Sequence, residues 1–332
     1  RNARRWHPLN IIGQHHSQHG ATPVQELAFT LAAGIAYVEE CLKAGMDIDE
    51  FAPRISGFFD VQINIFELAA KLRASRRMWA TIMKDRFGAK DPRSWQLPLH
   101  AQTSGTELTR QIPHLNIARV ALQALGAVLG GCNSLHTDSW DEAITIPSQE
   151  AALIALMTQH IISEESGVAD VIDPLGGSYY FESLTDEMER EAWKIIENID
   201  SMGGMIKAVK DGYVYREVTR SVSKDLIMIN NKEKIIVGVN EFCQPEEGRF
   251  ESFKIDPKLV DRQMERTKRI RKERDQAKAE TALEELRSIA KGSRDGNLFQ
   301  GVINAVNVDC TRGEIVRALR DVFGEGRPYA TI

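Results

Sequence analysis

Histidine changes charge near neutral pH and is the commonest metal ligand, and three of the eight histidines in this sequence crowd into one stretch. His15, His16 and His19 all lie in IIGQHHSQHG, residues 11–20. On a helix, His15 and His19 would share a face at the spacing of the zinc motif H-E-x-x-H. The residues between them are His16, Ser17 and Gln18, so the motif's general-base glutamate is missing. A metal site, a structural loop and an active-site loop all stay open on these residues alone. Other polar residues stand two apart. His100 and Gln102 in HAQTSG would lie on one face of a strand, where His100 could equally be a satisfied core histidine. Arg54 and Ser56 in RIS put a guanidinium beside a hydroxyl, a natural clamp for phosphate or carboxylate. Glu142 could serve a ligand or be an ordinary acid favoured at a helix N-terminus.

These residues need elements to hold them. Leu9 to Gly13 reads as a β-run, followed by Thr22-Pro23-Val24-Gln25, an N-cap with proline at the first helical position and a capping-box glutamine. Leu27, Leu31, Ile35, Val38 and Leu42 then recur at helical spacing up to a C-cap glycine, Gly45. The histidine stretch lies between strand and cap, which predicts a loop. The unit repeats at intervals of about 40 residues. RISGFF precedes a helix over about 64–87, WQLPLHAQTSG one over about 115–129, and GGCNSLHTDSW one over about 147–163. Four strand-then-helix units predict parallel strands joined by right-handed crossovers. No G-x-G-x-x-G turn is present, which weighs against a dinucleotide fold. Polar residues at the strand ends are what a (β/α)8 barrel presents at its C-terminal face. Four units amount to half of such a barrel.

The pattern changes after about Gly167, which divides the chain into residues 1–167 and a mainly helical region over 168–332. DPLGGSYY is a turn, a helix is expected over about 184–202, and KIIVGVN (234–240) is a short strand candidate. Residues 257–290 read as one charge-laced helix packed on a larger body.

Composition sets outer bounds. The chain has 332 residues, 42% apolar and 27% charged, with a net charge of −5, as expected of a soluble globular protein. An acidic balance gives no general attraction to nucleic acid, and the basic RTKRIRKER is offset by neighbouring acids. No apolar run approaches the roughly 20 residues that span a bilayer. Cys41, Cys132, Cys243 and Cys310 are widely spaced without a C-x-x-C pair, which predicts a reducing, cytoplasmic setting. The first residue is Arg1 rather than Met, as expected of a processed piece or of part of something larger.

Taken together, RISGFF, HAQTSGTELT, GGCNSLHTDSWDEA and EESGVADVIDPLGGSYYFE, followed by IVGVN, RTKRIRKERDQ and GEIVRALRDVFGEGRP, closely resemble one family. It is that of the methylmalonyl-CoA mutase large subunit and its adenosylcobalamin-dependent acyl-CoA mutase relatives. The likeness runs over essentially the whole chain. It implies an α/β fold made of the second half of a (β/α)8 barrel that wraps the CoA chain, with a helical region after it. It also implies a radical carbon-skeleton rearrangement of an acyl-CoA, in which the cofactor carries the chemistry and the protein positions groups and excludes water. The cobalamin-binding signature D-x-H-x-x-G is absent. The first four barrel strands and a small cobalamin-binding subunit would then come from partner chains or from further sequence.

By matched position, the resemblance gives His15 the thioester carbonyl, and Arg5, Arg54 and Ser56 the CoA. His100 and Gln102 would line the substrate site, and Asn133, Asp138 and Glu142 would face the cofactor, Glu142 through its ribose. No metal site follows. Departures bear on the substrate: Gln14 replaces the family's tyrosine before the histidine, Asp138 stands where asparagine is common, and Asn133 where glutamine is. An acyl-CoA mutase of the methylmalonyl-CoA/succinyl-CoA type remains the expectation. The alternatives are a bulkier substituted succinyl-CoA, a hydroxyacyl-CoA, or a noncatalytic assembly subunit. His15, Gln102 and Glu142 at strand ends favour an enzyme, since a scaffold needs only core positions. A barrel hydrolase or aldolase lacks any nucleophile elbow or Schiff-base setting here.

Overall fold

The computed structural model describes residue 7 and residues 9–244, 254–292 and 296–326. They form two compact units, Arg1–Phe253 and Lys254–Ile332. Arg5 lies outside the described residues. Among them, no helix is long and apolar enough to cross a membrane.

In the first unit, strands β1 (Leu9–Ile12), β2 (Ile55–Val61), β3 (Leu99–Thr103) and β4 (Ser134–His136) make one parallel sheet, ordered as in the sequence. Helices α1 (Gln14–Gln18), α2 (Pro23–Lys43), α3 (Ile48–Phe51), α4 (Ile65–Thr81), α5 (Leu115–Leu129) and α6 (Gln149–Glu164) lie between and after the strands. The expected capping box starts α2: the Gln25 N–H donates to Thr22 Oγ1 at 3.3 Å, and the Thr22 N–H to Gln25 Oε1 at 3.0 Å. The helix stops before Gly45, whose φ of 74° is one that glycine adopts without strain. A π-turn at Ile82–Arg86 extends α4, so the expected helix over 64–87 has a change of pitch near its end.

Pairing register sorts the strand residues onto two faces. One carries Ile11, Gly57 and Leu99 in one row and Phe59, Ala101 and Leu135 in the next. Helices α2, α4 and α5 cover that face, with Phe29, Leu31, Met78 and Trp79 fully buried among its core residues. Among the described residues the other face is covered at the end of β2, where α1 lies over the buried Asp60, and is otherwise without a helix layer.

The change of sequence character near 167 marks the end of strand–helix alternation inside the first unit, not the border of a compact unit. Helix α7 (Tyr179–Ser201), capped by Ser178, starts five residues before the expected 184. It packs along α2 and α4 through Phe181, Met188, Ala192, Ile196 and Ile199. Ion pairs line the seam: Arg73 with Asp173 and Glu182 at 3.1 and 2.9 Å, Arg86 with Asp200 at 2.6 Å, and Arg77 with Asp186 and Glu189. Short α8 (Met205–Lys210) and α9 (Tyr213–Asn230) follow. The strand expected at 234–240 does not form. Its backbone folds into turns, makes one isolated bridge between Val237 and Glu241, and lends the Val237 carbonyl to Arg119.

The second unit contains α10 (Pro257–Glu273), α11 (Gln276–Ala290), α12 (Leu298–Asn307) and α13 (Arg312–Phe323). The single helix expected over 257–290 is broken. Arg274 takes an extended conformation and Asp275 accepts from the Lys278 N–H, starting α11 afresh. Arg274 turns instead to Glu314, at 2.7 Å, which Arg271 and the Thr311 hydroxyl also reach. These partners, Arg274 foremost, hold the Glu314 carboxyl well below the usual range. Its stabilising contribution is therefore present above the ordinary glutamate pKa of about 4.3 and is lost as pH falls below that. Glu314→Gln is expected to lower stability by about 2 kcal/mol at neutral pH. Urea denaturation should show that gap from wild type shrinking as the buffer is acidified.

Candidate active site

The open face of the sheet is built in rows. Asn10 pairs with Ser56 in the first; Ile12, Phe58, His100 and Ser134 form the second; Asp60, Gln102 and His136 the third. Rows two residues apart along a strand are separated by about 6.6 Å, so Ser56 and Asp60 stand about 13 Å apart.

In the second row the His100 ring meets the Phe58 ring edge-on at 4.6 Å, and its Nδ1 bonds the Ser134 hydroxyl at 2.7 Å. Burial, with nearby His136, lowers its pKa and favours a neutral imidazole. In the third row Gln102 donates to Asp138 Oδ1 at 3.4 Å, and His136 Nε2 lies 3.3 Å from the same oxygen. The Asp138 bond raises the His136 pKa. Thr103 Oγ1 accepts from the Asp138 N–H at 2.8 Å and fixes the backbone there. Asp138 Oδ2 is buried without a hydrogen-bond partner. A Cβ added to Gly105 would lie 3.5 Å from that oxygen and 3.5 Å from Glu142 Cγ, so both acids border this glycine. Burial and the Asp138 charge raise the Glu142 pKa.

After β1 the chain makes a turn of helix rather than the expected loop. The Gly13 carbonyl accepts from the His16 and Ser17 N–H groups, and Gly20, with φ 100°, ends the excursion. Gly13 is required: a Cβ there would sit 2.2 Å from Thr30 Oγ1. Gln14 is 6% exposed, while His15 is exposed just beyond the end of β1. His16 packs edge-on against Phe29, and its burial, more than the neighbouring imidazoles, lowers its pKa. His19 Nδ1 meets the His15 carbonyl oxygen at 2.6 Å. Among the described residues no group of three or more His, Cys, Asp or Glu is placed to hold a metal ion. Of the three histidines, His15 and His19 are exposed, His19 with its ring held to backbone, and His16 is packed.

Beneath α1 lies a polar cluster that the sequence reading did not single out. Asp60, Glu26 and Lys71 are each fully buried. Lys71 pairs with Glu26 and donates to the Asp60 carbonyl at 2.7 Å; Glu26 Oε1 accepts the Asp60 N–H at 2.8 Å. Burial, opposed by Lys71, pushes Glu26 up to about 7. Burial also raises Asp60, opposed by the Ser104 and Ser17 hydroxyls and by Lys71. A lysine inside the apolar run LAAKLRA was the available signal, because a buried ammonium requires a buried partner.

The predicted residues fall at two ends. His15, Gln14, Gln102, Asp138 and Glu142 gather at the C-terminal end, with His100 one row below. Ser56 is near the start of β2, and Arg54 precedes the strand in a 3-10 turn rather than sharing its face. Asn133 does not join the acids: its side chain accepts the Leu99 N–H at 2.8 Å and secures the opposite end of the sheet. Glu142 sits in a turn after β4, not in the first turn of a helix; α6 starts later and is capped by Ser148.

A four-stranded parallel sheet packed with helices defines an α/β protein, and its relatives supply the family. The methylmalonyl-CoA mutase family model matches residues 1–325. The large subunit of 2-hydroxyisobutanoyl-CoA mutase from Aquincola tertiaricarbonis is 45% identical over 328 residues, 98% of this chain and 58% of that protein. Methylmalonyl-CoA mutase from Cereibacter sphaeroides is 44% identical over 325 residues (97% and 45%). The human mitochondrial methylmalonyl-CoA mutase is 43% identical over 322 residues (97% and 43%). This chain belongs to the methylmalonyl-CoA mutase family. It spans about half the length of these curated relatives.

Proposed function

We propose that this chain supplies half of the acyl-CoA-binding (β/α)8 barrel of an adenosylcobalamin-dependent acyl-CoA mutase. The observation that carries this reading is the open, row-patterned face of a parallel sheet. Such sheets are ordinarily buried on both sides, yet here a helix layer covers one side alone and the strand order never reverses. A doubly wound fold reverses at its switch point; a barrel does neither and fills its interior with rows of inward side chains. Four further β/α units, from a partner chain or from further sequence, would pair with the free edges of β1 and β4. Residues 1–167 then form the barrel half, with α7 packed on its helices α2 and α4, and residues 168–332 make up the mainly helical region that follows.

The roughly 13 Å from Ser56 to the Asp60 row suits a long ligand laid along the strands. Arg54, Ser56 and Arg5 would hold the CoA moiety, with the acyl end beside His100, Gln102, Gln14 and His15. An imidazole at the mouth can stabilise charge developing on a thioester oxygen. The unpartnered Asp138 Oδ2 and the adjoining Glu142 present acceptors, which suits a ligand bearing hydroxyl donors such as the adenosyl ribose. When bound, adenosylcobalamin supplies the radical chemistry of the rearrangement; a small cobalamin-binding subunit is the expected partner. Asn133, spent on β3, is left out of this set.

The substrate class is a branched or substituted acyl-CoA, methylmalonyl-CoA among them, with hydroxyacyl-CoA as the alternative. Incubating the native assembly with adenosylcobalamin and a panel of such thioesters should interconvert branched and linear isomers, read by mass spectrometry. A native assembly that holds cobalamin and isomerises none of them contradicts the reading and leaves an assembly role. Gln14→Tyr should move preference toward methylmalonyl-CoA, seen as a changed ratio of kcat/KM values; an unchanged ratio removes Gln14 as a selectivity residue.

A further inference from the structure

Helix α1 carries both Gln14 and His15, yet at five residues it is far too short to hold itself together. What fixes it must come from neighbouring elements, and the described contacts are few. Its entry is pinned by the Gly13 N–H, which donates to the Phe58 carbonyl at 2.7 Å, and the His16 ring leans on Phe29. Ser17 ties it to β2 and the residue just beyond: its hydroxyl donates to the buried Asp60 Oδ2 at 2.8 Å and accepts from Gln62 Nε2 at 3.2 Å. Ser17 is 3% exposed and Asp60 0%.

Asp60 is itself held from the other side. Its N–H donates to Glu26, its carbonyl accepts from Lys71, and Lys71 pairs with Glu26, so α2, α4 and β2 lock its backbone. A buried carboxylate is expensive to keep; its Oδ2 accepts the Ser17 hydroxyl, and beside Ser17 the Ser104 hydroxyl favours its charged form. A serine or an apolar residue at position 60 would avoid that cost. Asp60 also lies in the same row as Gln102 and His136.

We propose that Asp60 is a positioning residue for the rearrangement: through Ser17 it fixes the pose of α1, and so of His15 and Gln14, against the end of β2. This inference rests on the functional reading above, since it assigns Asp60 no contact with substrate. It separates Asp60 from a merely structural acid, because its effect must pass through His15.

The test has two readouts on the native assembly. In hydrogen exchange, Ser17→Ala and Asp60→Ala should speed exchange of the His16, Ser17 and His19 amides at least tenfold and leave α2 unchanged. Asp60→Asn, which keeps an oxygen to accept from Ser17, should stay near wild type. Unchanged exchange in α1 for both alanine variants overturns the proposal. In turnover, Ser17→Ala should lower kcat about tenfold with KM within about twofold, and should cost nothing further in a His15→Ala background. Full additivity of the two substitutions, or a loss confined to KM, also overturns it. An assembly that isomerises no acyl-CoA defeats the functional reading alone, and the exchange measurement still decides whether Asp60 holds α1.

Discussion

Replacing His15 with alanine is expected to lower turnover of the native assembly by about 10²–10³, with acyl-CoA affinity within a few fold of wild type. That range is what the loss of one well-placed electrostatic donor costs. The geometry gives the reason. His15 is exposed just beyond the end of β1, where the Gly13 turn redirects the chain, while His16 is packed on Phe29 and His19 is engaged with backbone. In the function proposed for this chain, His15 is the one of the three that meets a ligand lying over the third row. A donor that strengthens as charge develops on the thioester oxygen acts on kcat more than on binding. Steady-state kinetics of the variant against wild type decide the matter, and unchanged kcat would take His15 out of the mechanism.

Lys71→Met is expected to destabilise the fold by about 3–5 kcal/mol, the usual consequence of removing one partner from a buried ion pair. The substitution keeps length and apolar character but leaves Glu26 and Asp60 buried without their cation. Adding Glu26→Gln should recover part of the loss, because a neutral amide can still accept the Asp60 N–H. Chemical denaturation of the single and double variants gives the comparison. A Lys71→Met protein as stable as wild type would mean that Glu26 and Asp60 are readily neutralised where they lie.

Much of the architecture was legible because it depends on local chemistry. The Thr22–Gln25 capping box and the periodicity from Leu27 to Val38 specify α2, and the four strand–helix units specify a parallel sheet. The failures share a cause in long-range contacts. Residues 234–240 have strand-like composition, but their backbone is held in turns and Arg119 claims the Val237 carbonyl. Residues 257–290 have helical composition throughout, and the break at Arg274 depends on Glu314, forty residues away. The histidine stretch reads as a loop because five residues carry too little periodicity to register as a helix. At the site, strand-end residues such as Gln102, Asp138 and Glu142 were found through their motifs. Asp60, Ser17 and Glu26 were not: each is ordinary in sequence, and only the pairing of β1 with β2 brings them together. Asn133 shows the converse, a motif position whose side chain is committed to backbone.

In the function proposed for this chain, the open face of its sheet is the inner wall of a closed barrel around an acyl-CoA. A structure of the native assembly with an acyl-CoA bound tests it directly. There β1 and β4 should each pair with a strand from outside these 332 residues, and the ligand should run from Arg54 and Ser56 toward Gln102 and His15. A helix layer over the Asn10, Phe58 and Gln102 rows, or an acyl-CoA bound elsewhere, would contradict it.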